Sequence, residues 1–170
     1  MFTHELWRGP DKQHSYRGLN RKNGNSIYHP CLIWGVKKYE LIDHTADLMV
    51  KAYGNTLEEC FANAGYALFD QTVDLSGIEP KESFEIEVSG DELEDLLYAF
   101  LSELLFLEDC DGVILCELEV WFGEGKVICK GKGEILDRNK HRIRSEIKAV
   151  TYHMLSVDAG EPSVTVIFDV

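Results

Sequence analysis

Two places in the chain gather side chains able to hold a cation or move a proton. Asp43-His44-Thr45-Ala46-Asp47 sets two carboxylates and an imidazole within five residues, directly ahead of a strand-like run. The far end reads Val166-Ile167-Phe168-Asp169-Val170, an aspartate inside an apolar strand. Ionised carboxylates are rarely buried without a partner. Asp169 therefore either points to solvent or needs a metal ion or a lysine beside it. The terminal carboxylate and carbonyl of Val170 would add oxygens to the same spot. Oxygen donors with no sulfur nearby suit Ca²⁺ or Mg²⁺ better than Zn²⁺. The competing reading makes Asp43 and Asp47 turn formers that bond their own backbone.

Lys148 lies in the strand-like run Glu146-Ile147-Lys148-Ala149-Val150-Thr151-Tyr152-His153. Facing inward it would need a carboxylate; facing outward it is a solvated lysine on an amphipathic strand. His44, His141 and His153 lack a metal-ligand spacing such as HExxH and read as hydrogen-bonded structural histidines. No GxGxxG, P-loop or GxSxG pattern is present. Gly131 and Gly133, inside a strand pattern, mark a bulge or close approach rather than a phosphate cradle. The acidic run Glu92, Glu94 and Asp95 reads as a solvated helix face favoured by the helix dipole.

Periodicity supplies the elements that must carry these residues. Leu48–Tyr53 has the composition of a strand. Leu57, Cys60, Phe61, Ala64, Ala67 and Leu68 then form one helical stripe, opened by a Thr56/Glu59 capping box. Phe84, Ile86 and Val88 alternate as a half-buried strand. Asp91 with Glu94 marks the start of a second helix, whose stripe runs from Leu93 to Leu105 and stops at 109–112. Ile114 to Phe122 alternate, and Val127 and Cys129 alternate after a turn. Pairing Val120 with Val127 leaves Gly123–Glu124 as a type II′ loop. Residues 143–157 and 164–168 read as two more strands. The order β-α-β-α-β-β-β-β predicts an α+β domain, a two-layer sandwich of two helices on a mainly antiparallel sheet.

The chain has 170 residues, enough for one ordinary domain. Residues 1–38 hold seven Lys/Arg against Glu5 and Asp11. The remainder, with ten cations and 28 Asp/Glu, carries a net −18, against −13 for the whole chain. Residues 1–38 also lack any apolar period, so they read as a basic arm, disordered or a non-native leader, ahead of a domain at 39–170. A strongly acidic domain repels phosphate backbones, which argues against stable direct nucleic-acid binding. No apolar run approaches the roughly 20 residues that span a bilayer, and no secretory leader is evident. The five cysteines, odd in number and without a CxxC pair, point to free thiols in a reducing, intracellular and cytoplasmic compartment.

Several blocks, in order, resemble one family. Tyr39-Glu40-Leu41-Ile42-Asp43-His44-Thr45-Ala46-Asp47 is similar to the archease signature, an aromatic lead-in to [DE]-H-T-A-D. Ala52-Tyr53-Gly54-Asn55-Thr56-Leu57-Glu58-Glu59 is similar to its AxGxTLEE block. Asp91 to Leu105 resembles its Leu-rich helix. Lys140-His141, the run Glu146 to His153 and the ending Val166 to Val170 resemble its KH, EVKAVTYH and VIxDV blocks. The resemblance covers Tyr39 to Val170; residues 1–38 match nothing in the family. It implies a non-catalytic protein cofactor that activates an RtcB-type RNA ligase in tRNA splicing, promoting guanylylation and multiple turnover. It implies a metal site at Asp47, Asp169 and Val170, with Ca²⁺ as the expected ion. It makes Asp43, His44, Lys148 and His153 candidates for ligase activation. The alternatives from other classes are a small metal-dependent hydrolase and a chaperone-like modulator of RNA-modifying enzymes.

Overall fold

Thr56 opens the first helix as the capping pattern requires. Its extended backbone lets Oγ1 accept the Glu59 N–H at 3.3 Å. The Glu59 carboxylate reaches one residue further back than the usual box, to the Asn55 N–H at 2.7 Å and Nδ2 at 2.8 Å. The computed structural model describes residues 37–42 and 47–170. Helix α1 is Leu57–Thr72 and helix α2 is Leu93–Asp111. Phe61 of α1 is fully buried between Phe100 of α2, with ring centroids 6.1 Å apart, and the edge of Phe122 at 5.0 Å.

The strands form two antiparallel sheets rather than one. In the first, β1 (Tyr39–Ile42), β2 (Leu48–Tyr53), β7 (Ser163–Asp169) and β6 (Ala149–Asp158) lie in the order β1-β2-β7-β6. The second holds β3 (Glu82–Ser89), β5 (Lys126–Ile135) and β4 (Val113–Gly123) in the order β3-β5-β4. Both helices touch both sheets, and the apolar residues of all four pieces merge into one core. The α+β class is as expected. The short strand β1 was not legible, because its four residues carry no alternation: Leu41 and Ile42 are both exposed.

Four local expectations are corrected. Asp91 does not cap α2. Glu92 holds the cap position without a side-chain bond. The acidic run is not simply solvated either, because Glu94 accepts the Val157 N–H at 3.3 Å and Asp95 accepts the Tyr152 hydroxyl at 2.9 Å, both from β6. In the β4–β5 hairpin Val120 faces Cys129 and Gly123 faces Lys126, so the loop is Glu124–Gly125. The shift is two residues, so Val120, Val127 and Cys129 keep one buried face. Gly125 takes the left-handed φ of +61°, and its carbonyl accepts the Gly90 N–H at the end of β3. Residues 143–148 are not strand. They cross the end of α1 through a single bridge between Val73 and Ile143, with Arg144 N–H bonded to the Thr72 carbonyl at 2.8 Å.

The Gly131 and Gly133 pattern is explained by close approach. A Cβ on Gly133 would stand 1.8 Å from the Ile114 carbonyl oxygen, and one on Gly131 2.4 Å from a Leu115 methyl. The bulge itself lies opposite them, at Leu115/Glu117 of β4. Of the described cysteines, Cys60 and Cys129 are buried and burial pushes their thiols up to about 11 and about 12. Gly133→Ala should lower stability by about 1–3 kcal/mol through overpacking against backbone. Gly77→Ala, whose Cβ would meet nothing within 4 Å, should leave the urea midpoint nearly unchanged. Equal midpoints for the two variants would contradict the close approach.

Candidate functional site

The ladders of the first sheet decide which chemical residues meet. Strand β7 is its buried centre, with Val164, Val166, Ile167 and Phe168 almost inaccessible. On one side Leu48 of β2 pairs with Phe168. On the other, Ala149 of β6 pairs with Asp169. Continued one step, the same register brings Asp47 and Lys148 to the sheet end where β7 closes with Asp169 and Val170. Residues separated by more than a hundred positions in sequence therefore share one end of the sheet.

At that end β7 emerges from the core, which resolves the aspartate in an apolar strand: Asp169 is exposed. Lys148 is exposed too, yet tied twice. Its N–H donates to the Asp169 carbonyl at 2.8 Å, and its ammonium donates to the Val170 oxygen at 3.0 Å. Asp47 is half-buried. Asp43 and His44 lie outside the described residues. His153 is not brought to this end. It sits in the stretch Tyr152–Leu155 where the β6–β7 ladder is interrupted, four residues along the strand from Ala149. Met154 there takes a φ of +57°, unusual for a side-chain-bearing residue. Tyr152 stacks on Tyr98 of α2 with centroids 4.0 Å apart.

The donors gathered here fit a hard divalent cation in kind: two carboxylates and a main-chain oxygen, with no thiolate or imidazole beside them among the described residues. They fall short of a complete shell. Among the described residues no three His, Cys, Asp or Glu side chains stand together as a metal group. A cation at this end would also have to share the Val170 oxygen with the Lys148 ammonium.

Two latches hold the segments that deliver these residues. The Tyr39 hydroxyl donates to Asp70 near the end of α1 and accepts from Gln71 Nε2 at 2.9 Å. Burial, reinforced by Asp70, raises its phenol well above the ordinary value. Arg144 pairs with the same Asp70 at 3.1 Å and bonds its carbonyl at 2.9 Å, while Ser145 Oγ donates to the Gln71 carbonyl at 2.7 Å. The end of α1 thus holds both the start of β1 and the lead into Lys148.

The second latch was invisible as a site in the sequence, although Lys140-His141 stood out as a pair. Glu134, 7% exposed, accepts from Lys81 at 2.6 Å, from Lys140 at 3.0 Å and from the Glu79 N–H at 2.9 Å. The Lys81 bond above all holds its carboxyl down to about 2. Buried His141 accepts the Asp137 N–H on Nδ1 at 3.0 Å, closing the 137–141 turn as a structural histidine. The other ring nitrogen, Nε2, is buried 3.3 Å from Glu134 without a hydrogen bond to it.

Glu134 is lowered from an ordinary 4.5, so its contribution is complete above that pH and is lost as pH falls through about 2. Glu134→Gln should be less stable than the parent at neutral pH. The gap between their urea midpoints should close as pH falls from about 4.5 to about 2. A gap that stays constant over that window would show that Glu134 contributes no ionic stabilisation.

Comparison with known proteins follows the same residues. The Archease protein family model matches residues 39–170. Protein archease of Pyrococcus furiosus is 42% identical over 127 residues, covering 72% of this chain and 89% of that one. The archease-like protein of Drosophila melanogaster is 37% identical over 141 residues, covering 78% and 90%. The solution structure of Methanobacterium thermoautotrophicum protein 1598 superposes with a TM-score of 0.68 at 33% identity, covering 78% of this chain and 99% of that one.

Proposed function

The chain belongs to the archease family, and on that premise we propose that it is a non-catalytic protein cofactor that activates an RtcB-type RNA ligase in tRNA splicing. The observation that carries this reading is the convergence of Asp47, Asp169, Val170 and Lys148 on one end of the first sheet. These are the positions at which the family resemblance sets a metal site and an activation residue. In this reading Asp47 and Asp169 present carboxylates outward to the ligase. Lys148 holds the main chain of Asp169 and Val170 in place and offers a cation beside them. Ca²⁺, bound by Asp47, Asp169 and the Val170 oxygen, would supply a local positive charge to an otherwise acidic face. Asp43 and His44 adjoin this end in sequence, and His153 lies further along β6.

The net charge of the domain supports a division of labour. A surface this acidic favours a basic protein partner and leaves the RNA to the ligase. The protein acts in the cytoplasm, where its buried thiols stay reduced. No described helix is long and apolar enough to cross a membrane.

Guanylylation of an RtcB-type ligase, with and without this protein, tests the reading. Asp47→Ala and Asp169→Ala should each return guanylylation to the unstimulated rate while circular dichroism stays unchanged. Lys148→Ala should weaken stimulation about 10–100-fold, the range seen when a residue that orients a metal ligand is removed. Full stimulation by both aspartate variants would refute the site. GTP hydrolysis by the repurified protein alone would favour the metal-dependent hydrolase instead.

A further inference from the structure

Strand β4 is the outer strand of the second sheet. It pairs with β5 on one side and, among the described residues, with no strand on the other. Its free edge runs beside α1 as an open groove made of two hollows, of about 350 and 280 Å³, that share Ala62, Leu118 and Glu119. One end is marked by Glu58 and Trp121. The other is marked by Tyr66, Cys116 and Lys38. The hollow at Trp121 is mainly apolar and the one at Lys38 mainly polar, and Glu58, Glu117 and Glu119 stand at their lips.

Lys38 shows what such a groove accepts. Its ammonium lies 3.9 Å from the centroid of the Tyr66 ring. Its carbonyl is fixed by the Tyr53 N–H at 2.9 Å. The chain preceding Lys37 therefore joins the domain at the mouth of the groove. That segment, residues 1–36, has five Lys/Arg against two acids, and carries Phe2, Trp7, Tyr16, Tyr28 and Trp34. Its charge is opposite to that of the lips, and its aromatic residues suit the apolar hollow at Trp121.

We propose that the groove between α1 and the free edge of β4 is a docking site for this chain's own basic segment, residues 1–36, added beside β4 as an extended strand. Main-chain hydrogen bonds to the open edge supply the attachment, and the Glu lips select a basic occupant. Docking shields the β4 edge from pairing with other chains. It also gives the segment a role separate from the sheet end at Asp47 and Asp169. The inference does not depend on ligase activation.

The chain carries its own probes. Cys31 lies in the segment, six residues before Lys37, a reach of about 20 Å when extended. Cys116 lines the groove, and Cys110 is the exposed thiol on α2. Dilute full-length protein is oxidised with diamide and the disulfides are mapped by mass spectrometry. The expected result is an intramolecular Cys31–Cys116 bond at least about tenfold over Cys31–Cys110. Burial raises the Cys116 thiol, so the bias in reactivity runs against this outcome. The preference should collapse in the triple variant Arg17→Glu, Arg21→Glu, Lys22→Glu, which leaves the domain untouched, and in high salt. Equal yields at Cys110 and Cys116 in the parent would overturn the proposal. So would a Cys31–Cys116 bond indifferent to salt and charge reversal. An intermolecular Cys31–Cys116 bond would assign the groove to a second copy instead.

Discussion

The pairing of β7 with β2 on one side and β6 on the other is the constraint on which the candidate site depends. Strand β7 is buried along nearly its whole length, so its apolar residues fix the register on both flanks. A slip of one residue would turn an entire strand face from core to solvent. With the register held, Asp47, Asp169 and Lys148 must arrive at the same sheet end, whatever their own interactions contribute. Hydrophobic burial thus positions a polar site whose members would repel or wander if left to electrostatics alone.

The loops around that end have no comparable burial and are held by polar latches. Asp70 gathers Tyr39 and Arg144, one from each segment leading to the site. Glu134 gathers Lys81 and Lys140 and faces His141, which closes the turn ahead of residues 142–148. Both are carboxylates with little exposure and several donors, the arrangement in which a buried charge is tolerated. The Tyr152 stack on Tyr98 and its bond to Asp95 do the same for the interrupted stretch of β6. There the ladder to β7 is missing and the helix takes its place.

The acidity of the domain has a structural distribution. Glu94 and Asp95 are spent on holding β6, and Glu134 on its latch. Glu58, Glu117 and Glu119 rim the groove beside β4. Asp169, exposed, and Asp47, half-buried, stand apart from these at one sheet end with Lys148 nearby. A single net charge therefore covers three placements: internal clamps, the rim of the groove beside β4, and the carboxylates at the end of the first sheet.

The sequence by itself determined the class, both helices and their buried stripes, because 3.6-residue periodicity and the Thr56 cap are local properties. It also marked Asp47, Asp169 and Lys148, through a family pattern rather than through any spacing that implies contact. Tertiary structure alone decided that these three share one sheet end, since cross-strand register is a relation between segments 20 to more than 100 residues apart. It alone divided the strands into two sheets, moved the hairpin by two residues and took residues 143–148 out of the strand. Each of those choices was settled by what lay opposite: the Ile114 carbonyl against Gly133, Gly90 against Gly125, the end of α1 against Arg144. The acidic start of α2 looked like a solvated face for the same reason. Nothing in its own residues reveals that a β6 amide and a tyrosine hydroxyl will stand against it.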